Sequence, residues 1–180
     1  MEIIEYIKST ISLIGNRKTG YYYNSFYDFL DKEGQYFLSE KLTSQEEKSV
    51  NELVERFTFH YGFPKFRQCF YNSQLLLILD RSNQFVYCEG YAISKILGFP
   101  VLHGFLTINN KVVDITWKDS EGNFCIGDKS ESYFGVKFNS EDIKQAICDT
   151  GMAQSHLENW WNKNGIFKKK FNQKNRYYGV

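Results

Sequence analysis

Three residues in the middle of the chain carry the side chains that nucleophilic catalysis uses. Cys69, His103 and Asp114 follow one another in that order, 34 and 11 positions apart in a sequence of 180 residues. A thiolate beside an imidazole that a carboxylate orients is the arrangement for covalent acyl chemistry. The carboxylate fixes the tautomer and leaves the other ring nitrogen as the base. The residue types therefore indicate a cysteine nucleophile, a histidine base and an orienting aspartate.

A predicted hairpin brings the histidine and the aspartate together. Two strand-like runs, 101–108 and 111–117, are joined by Asn109-Asn110, and asparagine tolerates the positive φ of a two-residue turn. In that register His103 and Asp114 are diagonal neighbours on one face, about 7–8 Å apart at the backbone. A slip of one residue would separate them. The opposite face is predicted to be a core face, made of Leu102, Leu106, Ile108, Val113, Ile115 and Trp117.

Cys69 opens a predicted helix, 69–79, whose later turn is apolar on all sides and is therefore expected to be buried. The positive end of a helix favours the thiolate form of a cysteine. Gln68, or the backbone amide of Cys69, is placed to stabilise an oxyanion. Asn72 follows one turn later and either lines the same cleft or makes structural hydrogen bonds. Glu89, on a predicted strand, is either a rim residue or a group that supports the site.

The elements that must position these residues predict an α+β fold. We expect an antiparallel sheet of about four to five strands, packed on a central helix that starts at the cysteine, with a helical N-terminal cap. Isoleucines at helical spacing predict a helix over 2–14, and acidic residues after Thr43 predict another to about residue 57. Further strands are predicted over 85–93 and 133–138, and a helix over 140–148.

The length of the chain predicts a single domain, 1–180. Its three parts are a helical cap (1–62), a catalytic-like core (63–138), and C-terminal helices with a basic tail (139–180).

Composition excludes several classes of protein. The chain is 42% hydrophobic and 24% charged with a formal charge of +1, which is typical of a globular protein and gives no global reason to expect nucleic acid or membrane. No apolar run reaches the roughly 18 residues of a spanning helix, and Glu2 and Glu5 stand where an export signal is basic. The four cysteines include no C-x-x-C pair. We therefore expect a cytoplasmic protein with free thiols, no metal and no cofactor.

The C-terminal stretch 163–178 alternates lysines and an arginine with aromatic residues. Such a segment could contact RNA or DNA by charge and stacking. A solvated end, or a docking segment for an acidic partner, is the commoner meaning of such a pattern, and nucleic acid is not the favoured partner.

Several short motifs between residues 66 and 138 resemble one superfamily, the papain-like and transglutaminase-like cysteine proteins. More narrowly, they are similar to a group of small bacterial and phage proteins of that type. The motifs, in chain order, are Cys69-Phe-Tyr-Asn72, Tyr87-Cys-Glu-Gly-Tyr91, His103-Gly-Phe, Val112-Val-Asp114-Ile-Thr-Trp117 and Tyr133-Phe-Gly-Val136. The resemblance implies Cys69 as nucleophile, His103 as base and Asp114 as the orienting acid. This chain departs from the group at Gly104-Phe105, where the pattern has Ala-Trp, which alters the expected pocket wall.

The resulting expectation is a cysteine-dependent acyl-transfer enzyme that acts on a protein or an amide-bearing substrate. Proteases, amidases, deamidases and transglutaminases all share the arrangement, and a fold alone does not choose among them. The alternative is a binding module, such as a phage-type inhibitor, that uses a papain-like scaffold to occupy a partner protein. The helical cap and the basic tail, which the motifs leave unexplained, are the support for this alternative.

Overall fold

The α+β architecture is seen in a computed structural model, which describes residues 2–15, 23, 25–95, 97–118, 122–124, 126–127, 131–151 and 153–157. Within these residues five helices surround one five-stranded sheet. The helices are α1 (Ile3–Ile14), α2 (Phe26–Glu33), α3 (Ser44–Tyr61), α4 (Cys69–Leu79) and α5 (Ser140–Thr150). The strands are β1 (Gln35–Phe37), β2 (Phe85–Ile93), β3 (Val101–Ile108), β4 (Lys111–Val113) and β5 (Ser132–Lys137).

Local sequence signals account for the helix ends. The prediction of a helix over 2–14 is confirmed, and Gly15 ends α1 with a φ of 71°. The helix after Thr43 is also confirmed: Thr43 accepts the amide of Glu46 at 3.3 Å, and the Glu46 carboxylate accepts the amide of Thr43 at 2.8 Å. At α5 the cap is Asn139, one residue before the serine at which we placed the start, and it accepts two first-turn amides.

The sheet is antiparallel throughout its ladders, in the order β1-β5-β2-β3-β4. Asn109 and Asn110 both have positive φ, at 49° and 68°, so the predicted two-residue turn between β3 and β4 is confirmed. The two outer strands then meet, because the Leu38 amide donates to Asn110 and the Leu38 carbonyl accepts from Val112. The sheet is therefore curled until its edges touch.

Curling gives the sheet an outer face against the helices and an inner face of its own. The outer face joins the helices in the main core, which includes Tyr87, Leu106, Val136, Leu76 and Leu77. The inner face forms a second, smaller cluster of Phe37, Cys88, Ala92, Phe105, Val112 and Tyr133. Glycines permit the tight curl at the centre: a Cβ on Gly90 would lie 2.1 Å from the carbonyl oxygen of Phe134.

β4 is shorter than predicted, since it ends at Val113 rather than at residue 117. The chain then turns, and the predicted face of Trp117 is wrong. Its ring packs with the inner cluster instead of the helix-side core.

The described helices include none that is both long and apolar enough to cross a membrane. The basic tail lies outside the described residues.

Candidate functional site

The closest polar contact of the predicted triad joins its histidine and its aspartate. His103 Nε2 lies 2.6 Å from Asp114 Oδ2, and the two residues are 2% and 1% exposed. The aspartate is held in turn, because Oδ1 accepts the amide of Thr116 at 2.7 Å and Oδ2 accepts the Tyr133 hydroxyl at 3.1 Å. The predicted contact of the histidine with the aspartate is present, but Asp114 lies one residue beyond β4 and outside its ladder, and the short segment after β4 fixes the carboxylate.

Burial and the ion pair act in opposite directions on the imidazole. Burial disfavours its charged form, but the Asp114 carboxylate outweighs that penalty and raises the pKa of His103 to about 10, with a further contribution from the Cys69 side chain. The pKa of Asp114 is lowered because the attraction and hydrogen bond of His103 outweigh its own burial. The raised pKa favours the imidazolium form at neutral pH, in which Nε2–H donates to Asp114.

Cys69 is the first residue of α4, is 8% exposed, and lies near enough to the imidazole for its side chain to help raise the pKa of His103. Asp114 occupies Nε2, so Nδ1 is the ring nitrogen left for the sulfur. The structure thus brings all three predicted triad residues together.

Gly104 lets the first turn of α4 approach β3 next to the histidine. A Cβ on Gly104 would lie 2.8 Å from the Phe70 ring and 2.9 Å from the Tyr87 hydroxyl. The Ser73 hydroxyl also donates to the Gly104 carbonyl at 2.8 Å, which fixes α4 to this point of the strand. The departure from the Ala-Trp pattern at this position therefore falls at the closest contact between the cysteine helix and the histidine strand.

Trp117 covers the histidine. Its ring is stacked on the imidazole, with centroids 4.4 Å apart and an interplanar angle of 27°. Sequence reasoning placed Trp117 on the opposite face because it continued the strand alternation past Val113, whereas the chain bends at Asp114.

Tyr133 was also missed as a site residue, although it begins one of the quoted motifs. Its hydroxyl lies between Asp114 and Glu131, at 3.1 and 2.8 Å.

Asn72 joins the chain before Cys69 to the chain after Asp114. Its Oδ1 accepts the Lys65 amide at 3.0 Å, and its Nδ2 donates to the Lys65 carbonyl at 2.8 Å and to Thr116 Oγ1 at 3.2 Å. It is fully buried. Of the two roles left open for Asn72, these contacts favour the structural one, because they use both ends of the amide.

Gln68 lies at the N-cap position of α4 with an exposed side chain that makes no cap hydrogen bond. The preceding residue, Arg67, has a φ of 61°, in the left-handed region that few non-glycine residues adopt. This turn presents the Gln68 side chain beside Cys69 and keeps it in solvent. Its assignment to an oxyanion site stays a prediction.

Glu89 is fully buried but points to a different part of the molecule. Its carboxylate accepts the amides of His156 and Leu157, the Ser155 hydroxyl and the Tyr87 hydroxyl, all within 3.0 Å. Burial outweighs these donors and raises the pKa of Glu89 to about 7. The carboxylate therefore anchors residues 155–157 to β2, and the nearest link to the triad is Tyr87, whose pKa is raised by burial, by Glu89 and by Cys69.

The other two described cysteines are free thiols, one buried and one exposed. Cys88 is fully buried on the inner face, and burial raises the pKa of its thiol to about 12. Cys148 is exposed on α5. The described part of the chain holds no group of three or more His, Cys, Asp or Glu side chains that could bind a metal ion. Chemistry in these residues is therefore concentrated at Cys69.

Comparison of the chain with protein-family models, with curated proteins and with solved structures finds no match in any of the three. The assignment of function therefore depends on the geometry of the site.

Proposed function

We propose that the chain is a cysteine-dependent acyl-transfer enzyme in which Cys69 is the nucleophile, His103 carries the proton and Asp114 orients the imidazole. The observation that carries the proposal is one buried imidazole that has a carboxylate oxygen 2.6 Å from Nε2 and whose pKa the nearby Cys69 side chain also raises. A helix that starts at the cysteine and packs on the histidine strand is the further support, and it fits a papain-like or transglutaminase-like architecture.

The electrostatics favour an ion-pair form of the reaction. An imidazolium and a helix N-terminus both favour the thiolate form of a neighbouring cysteine, and the thiolate is the form that attacks an acyl carbon. The thiolate sulfur forms a bond to the acyl carbon of a carboxamide. As the carbon–nitrogen bond breaks, His103 Nδ1 gives its proton to the departing amine, which leaves a thioester on Cys69.

The second half of the reaction returns the protein to its starting state. Water or an amine attacks the thioester, His103 takes the proton that the attacking group loses, and the carbon–sulfur bond breaks to give the thiolate again. Attack by water is hydrolysis or deamidation, and attack by an amine is transfer. The Cys69 amide is one of the first-turn N–H groups that helix geometry leaves without an intrahelical acceptor, so it is the natural donor to the oxyanion.

The test is the rate at which iodoacetamide alkylates each cysteine, read by mass spectrometry between pH 5 and 9. An ordinary thiol with a pKa of about 8.5 is only about 0.3% thiolate at pH 6. We expect Cys69 to react at least ten times faster than exposed Cys148 at pH 6, and to lose that advantage in His103→Ala. His60→Ala, on the exposed end of α3, is the matched control. Equal rates at Cys69 and Cys148, with no effect of His103→Ala, would overturn the proposal.

One observation favours a second function, a binding module on the same scaffold. Cys69 and His103 are only 8% and 2% exposed, and the Trp117 ring lies over the imidazole, so the site is largely covered. A histidine–aspartate pair this deeply buried is also sound structural chemistry. A module of this kind keeps its biological effect in Cys69→Ala, whereas the enzyme loses it completely.

A further inference from the structure

The two loops that lead into Cys69 and His103 share an unusual sequence. Residues 62–68 precede the cysteine, residues 94–100 connect β2 to β3 just before the histidine, and each contains the triplet Gly-Phe-Pro. The two prolines of these triplets are the only two in the chain. We call residues 62–68 and 94–100 the rim loops.

Each triplet holds a phenylalanine in solvent by backbone chemistry. Gly62 and Gly98 have φ values of 77° and 66°, which let the chain turn sharply. The following proline then restricts each phenylalanine to an extended backbone. Phe63 and Phe99 are 80% and 54% exposed, and Phe66 of the first rim loop is 76% exposed. Exposed apolar rings on constrained loops mark a surface for interaction.

The rim loops also carry unopposed positive charge. They contain Lys65, Arg67 and Lys95 and no aspartate or glutamate. All three side chains are on exposed residues, and none of them takes part in the ion pairs of the described residues. Lys65 and Arg67 instead lie over aromatic rings, 4.2 and 5.1 Å from the centroids of Tyr71 and Phe66.

The first rim loop is hydrogen-bonded to residues beside the triad, and the second is adjacent along the chain to the histidine strand. The Lys65 backbone is bound by Asn72, which also bonds Thr116, two residues after Asp114. The second loop begins where the ladder of β2 and β3 ends, two residues beyond the pair of Gly90 and His103. A chain spans at most about 3.5 Å per residue, so Phe66 lies within about 10 Å of Cys69 and Phe99 within about 14 Å of His103.

We propose that the rim loops bind the substrate, and that this substrate is a protein segment with acidic residues and a bulky apolar side chain close to the carboxamide that Cys69 attacks. The inference rests on the proposed function for its chemistry. Apolar rings interleaved with unpaired cations match a segment in which apolar and acidic side chains alternate, and charge complementarity sets which partner is accepted.

The test measures binding separately from chemistry, on the full chain carrying Cys69→Ala. The probes are three fluorescein-labelled hexapeptide amides: Asp-Glu-Leu-Phe-Gln-Gly, its basic counterpart Lys-Lys-Leu-Phe-Gln-Gly, and its apolar-depleted counterpart Asp-Glu-Ala-Ala-Gln-Gly. By fluorescence anisotropy we expect the first peptide to bind at least ten times more tightly than either of the others. Raising the salt concentration should reduce the charge preference, because exposed charges are screened.

Variants locate the binding on the rim loops. The double variant Lys65→Ala, Arg67→Ala should weaken binding of the acidic peptide Asp-Glu-Leu-Phe-Gln-Gly at least five-fold. Phe99→Ala should reduce at least five-fold the preference for this peptide over Asp-Glu-Ala-Ala-Gln-Gly. Lys48→Ala and Phe59→Ala, exposed residues of α3, are the matched controls and should change neither.

The outcomes separate the inference from the proposed function. Equal affinity for all three peptides, tighter binding of a poly-dT oligonucleotide than of the acidic peptide, or equal loss in the control variants overturns the rim-loop proposal while the iodoacetamide result can still stand. An unreactive Cys69 together with rim-dependent binding of the acidic peptide removes the enzyme and leaves the rim loops as the docking surface of a binding module.

Discussion

The pairing of His103 with Asp114 makes a quantitative prediction for Asp114→Asn. The substitution keeps the size of the side chain and its oxygen acceptor but removes the charge that holds the proton on the imidazole. With the carboxylate present the pKa of His103 is raised to about 10, although burial acts in the opposite direction. Once the charge is gone, burial dominates, and the pKa of His103 should fall below the ordinary value of about 6.5.

The size of the change follows from these two values. A fall from about 10 to 6.5 or less is at least about 3.5 pH units, which corresponds to roughly 5 kcal/mol between the two protonation states. The imidazole at neutral pH should therefore change from fully charged to mostly neutral. The raised pKa of His103 means that protonation of the ring stabilises the folded state fully below pH 6.5, and that this stabilisation is lost as the pH rises through about 10. Between pH 6.5 and about 10, wild type should therefore lose stability relative to Asp114→Asn.

The assay is an NMR titration of the histidine ring nitrogens, which is tractable because the chain has only three histidines. His60, exposed on α3, serves as the internal control, and its ring signals should be the same in both proteins. The reasoning is refuted if wild-type His103 titrates near 6.5, or if its titration is the same in Asp114→Asn. Iodoacetamide labelling of Cys69 in the variant should fall as the imidazolium is lost, most clearly at pH 7.5, where an imidazole with a pKa of 6.5 or less is at most about one-tenth charged. An undiminished rate at that pH would show that the reactivity of the thiol does not depend on the ion pair.

Three further predictions concern other parts of the fold. Glu89→Gln should lose a pH dependence, because the raised pKa of Glu89 stabilises the folded state below pH 4.5 and the effect disappears as the pH rises through about 7. Relative to the variant, wild type should lose about 3 kcal/mol over those 2.5 pH units in urea denaturation, and parallel curves would contradict this. Gly104→Ala places a methyl group 2.8 Å from the Phe70 ring, so it should lower the melting temperature and the reactivity of Cys69 together, whereas Phe59→Ala, at an exposed residue of α3, should change neither. Hydrogen bonds from Lys111, Thr43 and Asn109 lower the pKa of Glu46 to about 2, so the ionised carboxylate stabilises the folded state above pH 4.5. Glu46→Gln should remove this contribution. Unfolding followed by circular dichroism should show the stabilities of wild type and variant converging as the pH falls from 4.5 to 2.

Local signals in the sequence were sufficient for most of the elements. Isoleucine spacing predicted α1, the capping residues Thr43 and Glu46 predicted α3, and alternation with an Asn-Asn turn predicted β3 and its register with β4. These features depend on residues a few positions apart, where hydrogen bonding and φ preferences decide the conformation. The contact of His103 with Asp114 depends in part on the same register, because Asp114 directly follows the last paired residue of β4.

Long-range contacts could not be inferred in this way. The period-2 pattern continued through Trp117, but the Thr116 amide turns back to bond Asp114 and breaks the strand. Glu89 was recognised as a carboxylate that needed a partner, and its partners are amides 67 and 68 residues further along the chain. The closure of the sheet through Leu38 depends on its total curl, which no single strand reveals.

The sequence by itself determined the residue types of the candidate site and the pairing of its histidine with its aspartate. Only the tertiary structure decided that Cys69 lies near the same imidazole and that Trp117 covers it. The physical reason is chain distance: β3 and β4 are joined by two residues, so the turn alone sets their register. Cys69 is 34 positions from His103, and its place depends on how closely α4 can pack on Gly104.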